Sequence, residues 1–130
     1  IEAEPGAMFA PVRERFRGGA AFSGVDFVRA WQRLDRLRAE WAAASAGHDA
    51  VILPTAALTP PQIAALEADE DLFAAENLLT LRNTRIGNLM GLCALTLPTG
   101  TPSAGLMLMA PAGAEARLMR LGAAAEAALA

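Results

Sequence analysis

The chain contains no lysine and no tyrosine, and all eleven of its basic residues are arginines. Any mechanism that needs a lysine base must therefore find that lysine outside these 130 residues. The single cysteine, Cys93, excludes an internal disulfide and favours a cytoplasmic location. With one histidine and one cysteine, the sequence has neither a CxxC nor an HxxxH pair, which argues against a metal site. Nothing in the sequence predicts a cofactor.

Long apolar runs and a basic charge excess are also missing. No stretch approaches the ~18 apolar residues of a membrane span, so we expect no membrane partner. The net charge of −3 provides no basic footprint for nucleic acid. Seven arginines do cluster in the first third of the chain: Arg13, Arg15, Arg17, Arg29, Arg33, Arg36 and Arg38. They predict a solvated helix face and loop, with a phosphate- or partner-binding patch as the alternative.

Candidate nucleophiles are few. Ser23 is predicted to cap a helix, Ser45 lies in a helix tail, and Ser103 lies in a turn without a G-x-S-x-G motif. Cys93 precedes an apolar strand and is predicted to be a small core residue, whereas His48 suits a capping or surface role. We therefore predict no catalytic residue in this chain.

Alanine dominates what is present. Hydrophobic residues make up 54% of the chain and aromatic residues only 5%. Alanine forms helices readily but buries little area, so such a chain is more stable when packed against another surface. We expect exposed apolar surface, and association of the chain with itself or with another polypeptide segment.

Residues 1–22 are predicted to be irregular to partly helical. Ser23 and Asp26 then form a capping-box pattern at the start of a helix that ends near Gly47. An apolar stripe follows at helical spacing, formed by Phe27, Ala30, Trp31, Leu34, Leu37 and Trp41.

Three short apolar runs predict strands, and the fold class is therefore α/β. Residues 50–53 suit a strand buried on both faces, while 94–97 and 105–110 suit an antiparallel hairpin. Residues 72–90 predict two helices, or one helix broken near Asn83, and a terminal helix follows Gly113. Apolar strands of this kind need helices on both sides of their sheet.

Polar residues gather just before the second predicted strand: Arg82, Asn83, Thr84, Arg85 and Asn88. Loops and helix starts at strand ends are common ligand positions in α/β proteins. One interpretation is that Asn83 or Thr84 caps a short helix, and the other is that this segment lines a pocket.

Several segments resemble, in order and spacing, those of the amidase-signature hydrolases. Residues 48–55 resemble that family's "D–three hydrophobics–P–T" segment, and residues 82–100 resemble its "N-x-x-G-x-P-A…P-x-G" segment with Cys93 in place of a proline. Residues 105–109 resemble "P-V-G-L-Q-hydrophobic" with Ser103-Ala104 in place of Pro-Val, and residues 115–119 resemble "E-x-x-L-L".

The resemblance implies an α/β/α sandwich with a mixed sheet and hydrolysis of amide bonds by a Ser–cis-Ser–Lys triad. In that family the triad lies in the N-terminal half, so residues 1–130 correspond to a C-terminal portion with no catalytic residue of its own. The partners implied are the missing N-terminal half and a small-molecule amide substrate. The substrate-binding residues implied are Thr55, Asn83, Thr84 and Asn88.

Two other interpretations remain open. The chain could be a non-catalytic ligand- or protein-interaction domain derived from the same fold. It could also be an unrelated α/β regulatory domain, in which case the three predicted strands would be expected in different sheets.

Overall fold

Helices alternate with three short strands in the computed structural model, which describes residues 3–129. Within them the elements are α1 (Ala10–Arg17), α2 (Gly24–Ser45), β1 (Val51–Pro54), α3 (Ile63–Ala68), α4 (Glu70–Thr80), α5 (Arg82–Met90), β2 (Leu92–Pro98), β3 (Gly105–Pro111) and α6 (Glu115–Leu129). Short 3-10 turns occupy Pro5–Ala7 and Gly18–Ala21. The predictions for residues 1–22 and for the terminal helix extend to residues 1, 2 and 130, which lie outside the described residues.

The three strands form one antiparallel sheet in the order β1-β3-β2. Leu95 of β2 pairs with Leu108 of β3, which confirms the predicted hairpin. Val51 of β1 pairs with Met109 of the same central strand. Because all three strands share a sheet, the interpretation as an unrelated regulatory domain loses its support.

Helices contact both faces of the sheet. Successive side chains of a strand point to opposite faces, so Leu108 and Met109 of β3 lie on different sides. On one face, Leu97, Leu108 and Ala110 form a buried cluster with Leu118 of α6. On the other face, a Cβ built on Gly87 of α5 would lie 3.6 Å from the terminal methyl carbon of Met109. The hydrophobic core therefore centres on β3.

The continuous apolar run at residues 50–53 predicts burial on both faces, and this is wrong for Ile52, which is 61% exposed. β1 is an edge strand, and α6 packs across β2 and β3 instead. The face of β1 that carries Ile52 is consequently open.

Capping interactions confirm the predicted ends of α2. The backbone N–H of Asp26 donates to the Ser23 hydroxyl (3.2 Å), and the backbone N–H of Ser23 donates to the Asp26 carboxylate (3.0 Å). The Ser23 hydroxyl also donates to that carboxylate. The bonds that the Asp26 carboxylate accepts from the Ser23 hydroxyl and from the Ser23 backbone N–H hold the pKa of Asp26 below its usual value. At the other end, Gly47 has a φ of +83°, a left-handed conformation suited to glycine.

The segment at 72–90 forms two helices, as predicted, but they separate at Leu81 rather than near Asn83. The acidic residues Asp69, Glu70 and Asp71 form the start of α4. Asp69 caps this helix, because its carboxylate accepts a hydrogen bond from the backbone N–H of Leu72 at 2.9 Å. Gly91, with a φ of +70°, ends α5 and leads directly into β2.

The described part of the chain divides into two compact units, residues 3–36 and 37–129. In the first unit, as far as its residues are described, large apolar side chains are exposed: Phe9, Val12, Phe16, Phe22, Val25, Phe27, Val28 and Trp31. Phe27 and Trp31 make an edge-to-face contact with ring centroids 6.2 Å apart. The helix predicted to follow Ser23 is confirmed as α2, and no residue of its apolar stripe is buried. The exposed apolar surface expected from the sequence is present in this unit.

Candidate functional site

Thr55 lies directly after β1 and is fastened to the hairpin formed by β2 and β3. Its backbone N–H donates to the carbonyl oxygen of Gly105 at 2.8 Å. Its hydroxyl donates to the hydroxyl of Thr96 at 3.3 Å. The loop that leaves β1 is thus bound to β3 through its backbone and to β2 through a side chain.

Glycine at position 105 permits this close approach. A Cβ built there would lie 2.8 Å from the Thr55 hydroxyl oxygen and 3.0 Å from the Thr96 methyl carbon. Both distances are too short for unstrained packing. Sequence reasoning misses Thr96 and Gly105 as parts of the site, and the signal that would reveal them is the pairing register of β1, β2 and β3.

Asn83 of α5 binds the end of β1, next to Thr55. Its side chain is buried, and its amide nitrogen donates to the carbonyl oxygen of Pro54 at 2.8 Å. The capping interpretation is wrong for this residue: α5 begins after Leu81 without a side-chain cap, and the amide is already used by β1. Asn83 instead joins α5 to the residue that precedes Thr55.

The structure thereby brings together two of the four predicted substrate-binding residues, Thr55 and Asn83. Thr84 donates from its hydroxyl to the carbonyl oxygen of Leu81 at 3.3 Å and is partly buried. Asn88 lies one turn further along α5 and is exposed. Among the described residues, no hydrogen bond connects Thr84 or Asn88 to Thr55.

Thr55, Thr84 and Asn88 offer hydroxyl and amide groups for hydrogen bonding, whereas the amide nitrogen of Asn83 already donates to Pro54. Threonine and asparagine carry neither an acid nor a base that titrates near neutral pH. The arrangement can therefore orient a carbonyl or an N–H group of a bound molecule, and proton transfer needs other residues.

The remaining chemically active side chains lie elsewhere. Cys93 is partly buried, and its sulfur lies 3.4 Å from the carbonyl oxygen of Ala110, which agrees with a packing role. His48 is exposed, as a surface role requires. Across residues 3–129, no three His, Cys, Asp or Glu side chains come close enough together to hold a metal ion, and no helix is long and apolar enough to cross a membrane.

Comparison with known proteins identifies the family of the chain. The amidase family profile matches residues 10–119, and the chain therefore belongs to the amidase family. It is also 38% identical over 112 residues to the 2-amino-5-chloromuconic acid deaminase of Comamonas testosteroni. The matched region covers 83% of this chain and 24% of that relative, so the chain spans about a quarter of the relative's length. No solved structure matches the chain.

Proposed function

We propose that this chain is the C-terminal part of an amidase that hydrolyses carbon–nitrogen bonds, with the Ser–cis-Ser–Lys triad outside residues 1–130. The observation that carries the proposal is an amidase match over residues 10–119 of a chain that contains no lysine. The chain then supplies sheet strands and loops around the substrate, and the proton transfers occur on residues of another segment.

Thr55 and Asn83 are the residues we assign to the substrate side of this sheet. The loop after β1 is fastened by Asn83 through Pro54 and by Gly105 through Thr55. Such fixation favours hydrolysis, because a substrate carbonyl must be held within about 0.5 Å of its productive position, roughly 3–3.5 Å from the attacking atom. Thr84 and Asn88, further along α5, are proposed to contact the distal part of the substrate.

The proposed assembly also accounts for the incomplete sheet. β1 and β2 are both edge strands among the described residues, and Ile52 is exposed on β1. An exposed apolar edge strand favours pairing or coverage by another segment. We propose that the N-terminal half of the same enzyme supplies it and completes an α/β/α sandwich with a mixed sheet, in the cytoplasm.

The relative is named for the deamination of 2-amino-5-chloromuconic acid. We propose that the substrate of the present enzyme is likewise a small molecule with a hydrolysable carbon–nitrogen bond. Pocket loops differ between amidases, so the shared chemistry supports this class of substrate rather than that particular acid.

The decisive experiment compares two purified polypeptides, residues 1–130 alone and the complete product of the natural reading frame. Ammonia release is measured from a panel of primary amides and from 2-aminomuconic acids. We expect turnover by the complete product, its loss when the triad lysine of the upstream segment is replaced by alanine, and none by residues 1–130 alone. Turnover by residues 1–130, or a reading frame without such a lysine, would overturn the proposal.

A further inference from the structure

A cleft opens at the end of the sheet opposite Thr55. β3 runs from Gly105, which binds Thr55, to Pro111 at the rim of the cleft, a span of roughly 20 Å. The cleft has a volume of about 390 Å³, within the range of small-molecule sites. Its chemically distinctive lining residues are Arg38, Trp41, His48, Met90, Leu92 and Arg117.

The formally charged side chains of this lining are two arginines, Arg38 and Arg117. Arg38 is held in place by a hydrogen bond of 2.8 Å from its Nε to the carbonyl oxygen of Leu89. Arg117 has its Nη1 3.7 Å from the Asp49 carboxylate, a pair whose side chains are 42% and 74% exposed. Such an exposed pair is weak in water, so a bound carboxylate can compete with Asp49 for Arg117. The guanidinium groups of Arg38 and Arg117 therefore belong to the lining of one cleft.

The apolar part of the lining suits a flat molecule. Trp41 is half-buried beside the cleft, and Met90 and Leu92 belong to the turn from α5 into β2. An indole and thioether or aliphatic groups favour a planar, weakly polar body over a fully hydrated ion. Guanidinium groups bind carboxylates with matched, often bidentate geometry.

We propose that this cleft binds a small planar carboxylate, with the carboxylate at Arg38 and Arg117 and the planar body against Trp41. The proposal rests on the charge, volume and lining of the cleft. It does not depend on amide hydrolysis.

The test uses the complete natural polypeptide and benzoate as the probe. The indole N–H signal of Trp41 is identified in a nitrogen–proton NMR spectrum by its absence from a Trp41→Phe variant, and it reports on the surroundings of this cleft. We expect saturable movement of that signal with a dissociation constant on the order of a millimolar or below. Benzamide, which has the same shape without the charge, and inorganic phosphate, which has charge without the ring, are expected to bind at least tenfold more weakly.

Arg117→Gln is expected to weaken benzoate binding about tenfold. Arg120→Gln, an exposed arginine on the same helix, is the matched control and is expected to leave binding unchanged. The proposal is overturned if the Trp41 signal does not respond to benzoate on the order of 10 mM. It is equally overturned if benzamide or phosphate binds as well as benzoate, or if the two arginine variants behave alike. The benzamide and phosphate comparisons need no variant, so a folding defect cannot obscure the result.

Discussion

The side-chain amide of Asn83 donates a hydrogen bond to the carbonyl oxygen of Pro54, with a nitrogen–oxygen distance of 2.8 Å. This bond joins the second residue of α5 to the last residue of β1, and Asn83 is 7% exposed. Since Thr55 follows Pro54 and binds Gly105, the loop after β1 is held from both sides. Thus β1, β3 and α5, which are distant in sequence, meet at the Pro54 carbonyl group and at Thr55.

Removal of this bond is expected to destabilise the fold. Asn83→Ala should lower the free energy of unfolding by about 1 kcal/mol, the net value of one hydrogen bond. Asn83→Asp should cost more, because a carboxylate cannot donate to the Pro54 carbonyl and is desolvated at a buried position. Urea denaturation measures both changes. Asn88→Ala, on the exposed side of the same helix, is the control, and equal effects at the two positions would contradict the assignment.

Gly105→Ala is expected to displace the loop after β1. The added methyl group would meet the Thr55 hydroxyl at 2.8 Å, and overpacking of this kind costs about 1–3 kcal/mol. The double variant Gly105→Ala/Thr55→Ala should recover part of the loss, since it removes the nearest atom. Thermal unfolding of the single and double variants measures this coupling. Gly24→Ala, where a Cβ meets nothing within 4 Å, should be close to neutral, and strictly additive losses at 105 and 55 would refute the contact.

The cap of α2 is expected to depend on pH. Hydrogen bonds from Ser23 lower the pKa of Asp26 in the folded chain, so the ionised carboxylate stabilises the folded state. This stabilisation is present above the unfolded pKa of about 3.9 and is lost as the pH falls through the lowered folded value.

The comparison of native chain and Asp26→Asn isolates this contribution. The difference in their denaturation midpoints should be largest near neutral pH and should shrink as the solution is acidified below the unfolded pKa of about 3.9. In a Ser23→Ala background, which removes the main cause of the lowered pKa, the pH dependence of that difference should be smaller. A midpoint difference that stays constant with pH would contradict the hydrogen-bonded cap.

The exposed apolar side chains of residues 3–36 are expected to bind a hydrophobic dye or to cause self-association when residues 1–130 are studied alone. Dye fluorescence should fall when Phe16, 61% exposed, is replaced by serine. Met109→Ser should instead lower stability, because Met109 is 1% exposed. A monodisperse monomer without dye binding would contradict this expectation.

The features that could be predicted from the sequence are those decided by residues close together in the chain. Ser23 and Asp26 are three positions apart, and their cap has the expected bonds. Gly91 ends α5 because a left-handed residue is required there. The hairpin of β2 and β3 follows from two apolar runs separated by a short turn.

The features that could not be predicted depend on long-range pairing. An apolar run such as residues 51–53 reads the same whether its strand is central or at an edge, and only the pairing of Val51 with Met109 places it at the edge. The partner of Asn83 and the crowding at Gly105 are equally invisible, because both depend on where the end of β1 lies. Thus Thr55 and Asn83 were identifiable as candidates, but the reason they belong together was not.

The strand order β1-β3-β2 has a consequence for synthesis on the ribosome. β3 pairs with both other strands, yet it is the last of the three to be translated. β1 must therefore wait, without its partner, while α3, α4, α5 and β2 emerge. Closing that long loop carries an entropic cost that the local hairpin of β2 and β3 avoids. The hairpin can form first as a template, and β1 then docks onto it as the third strand.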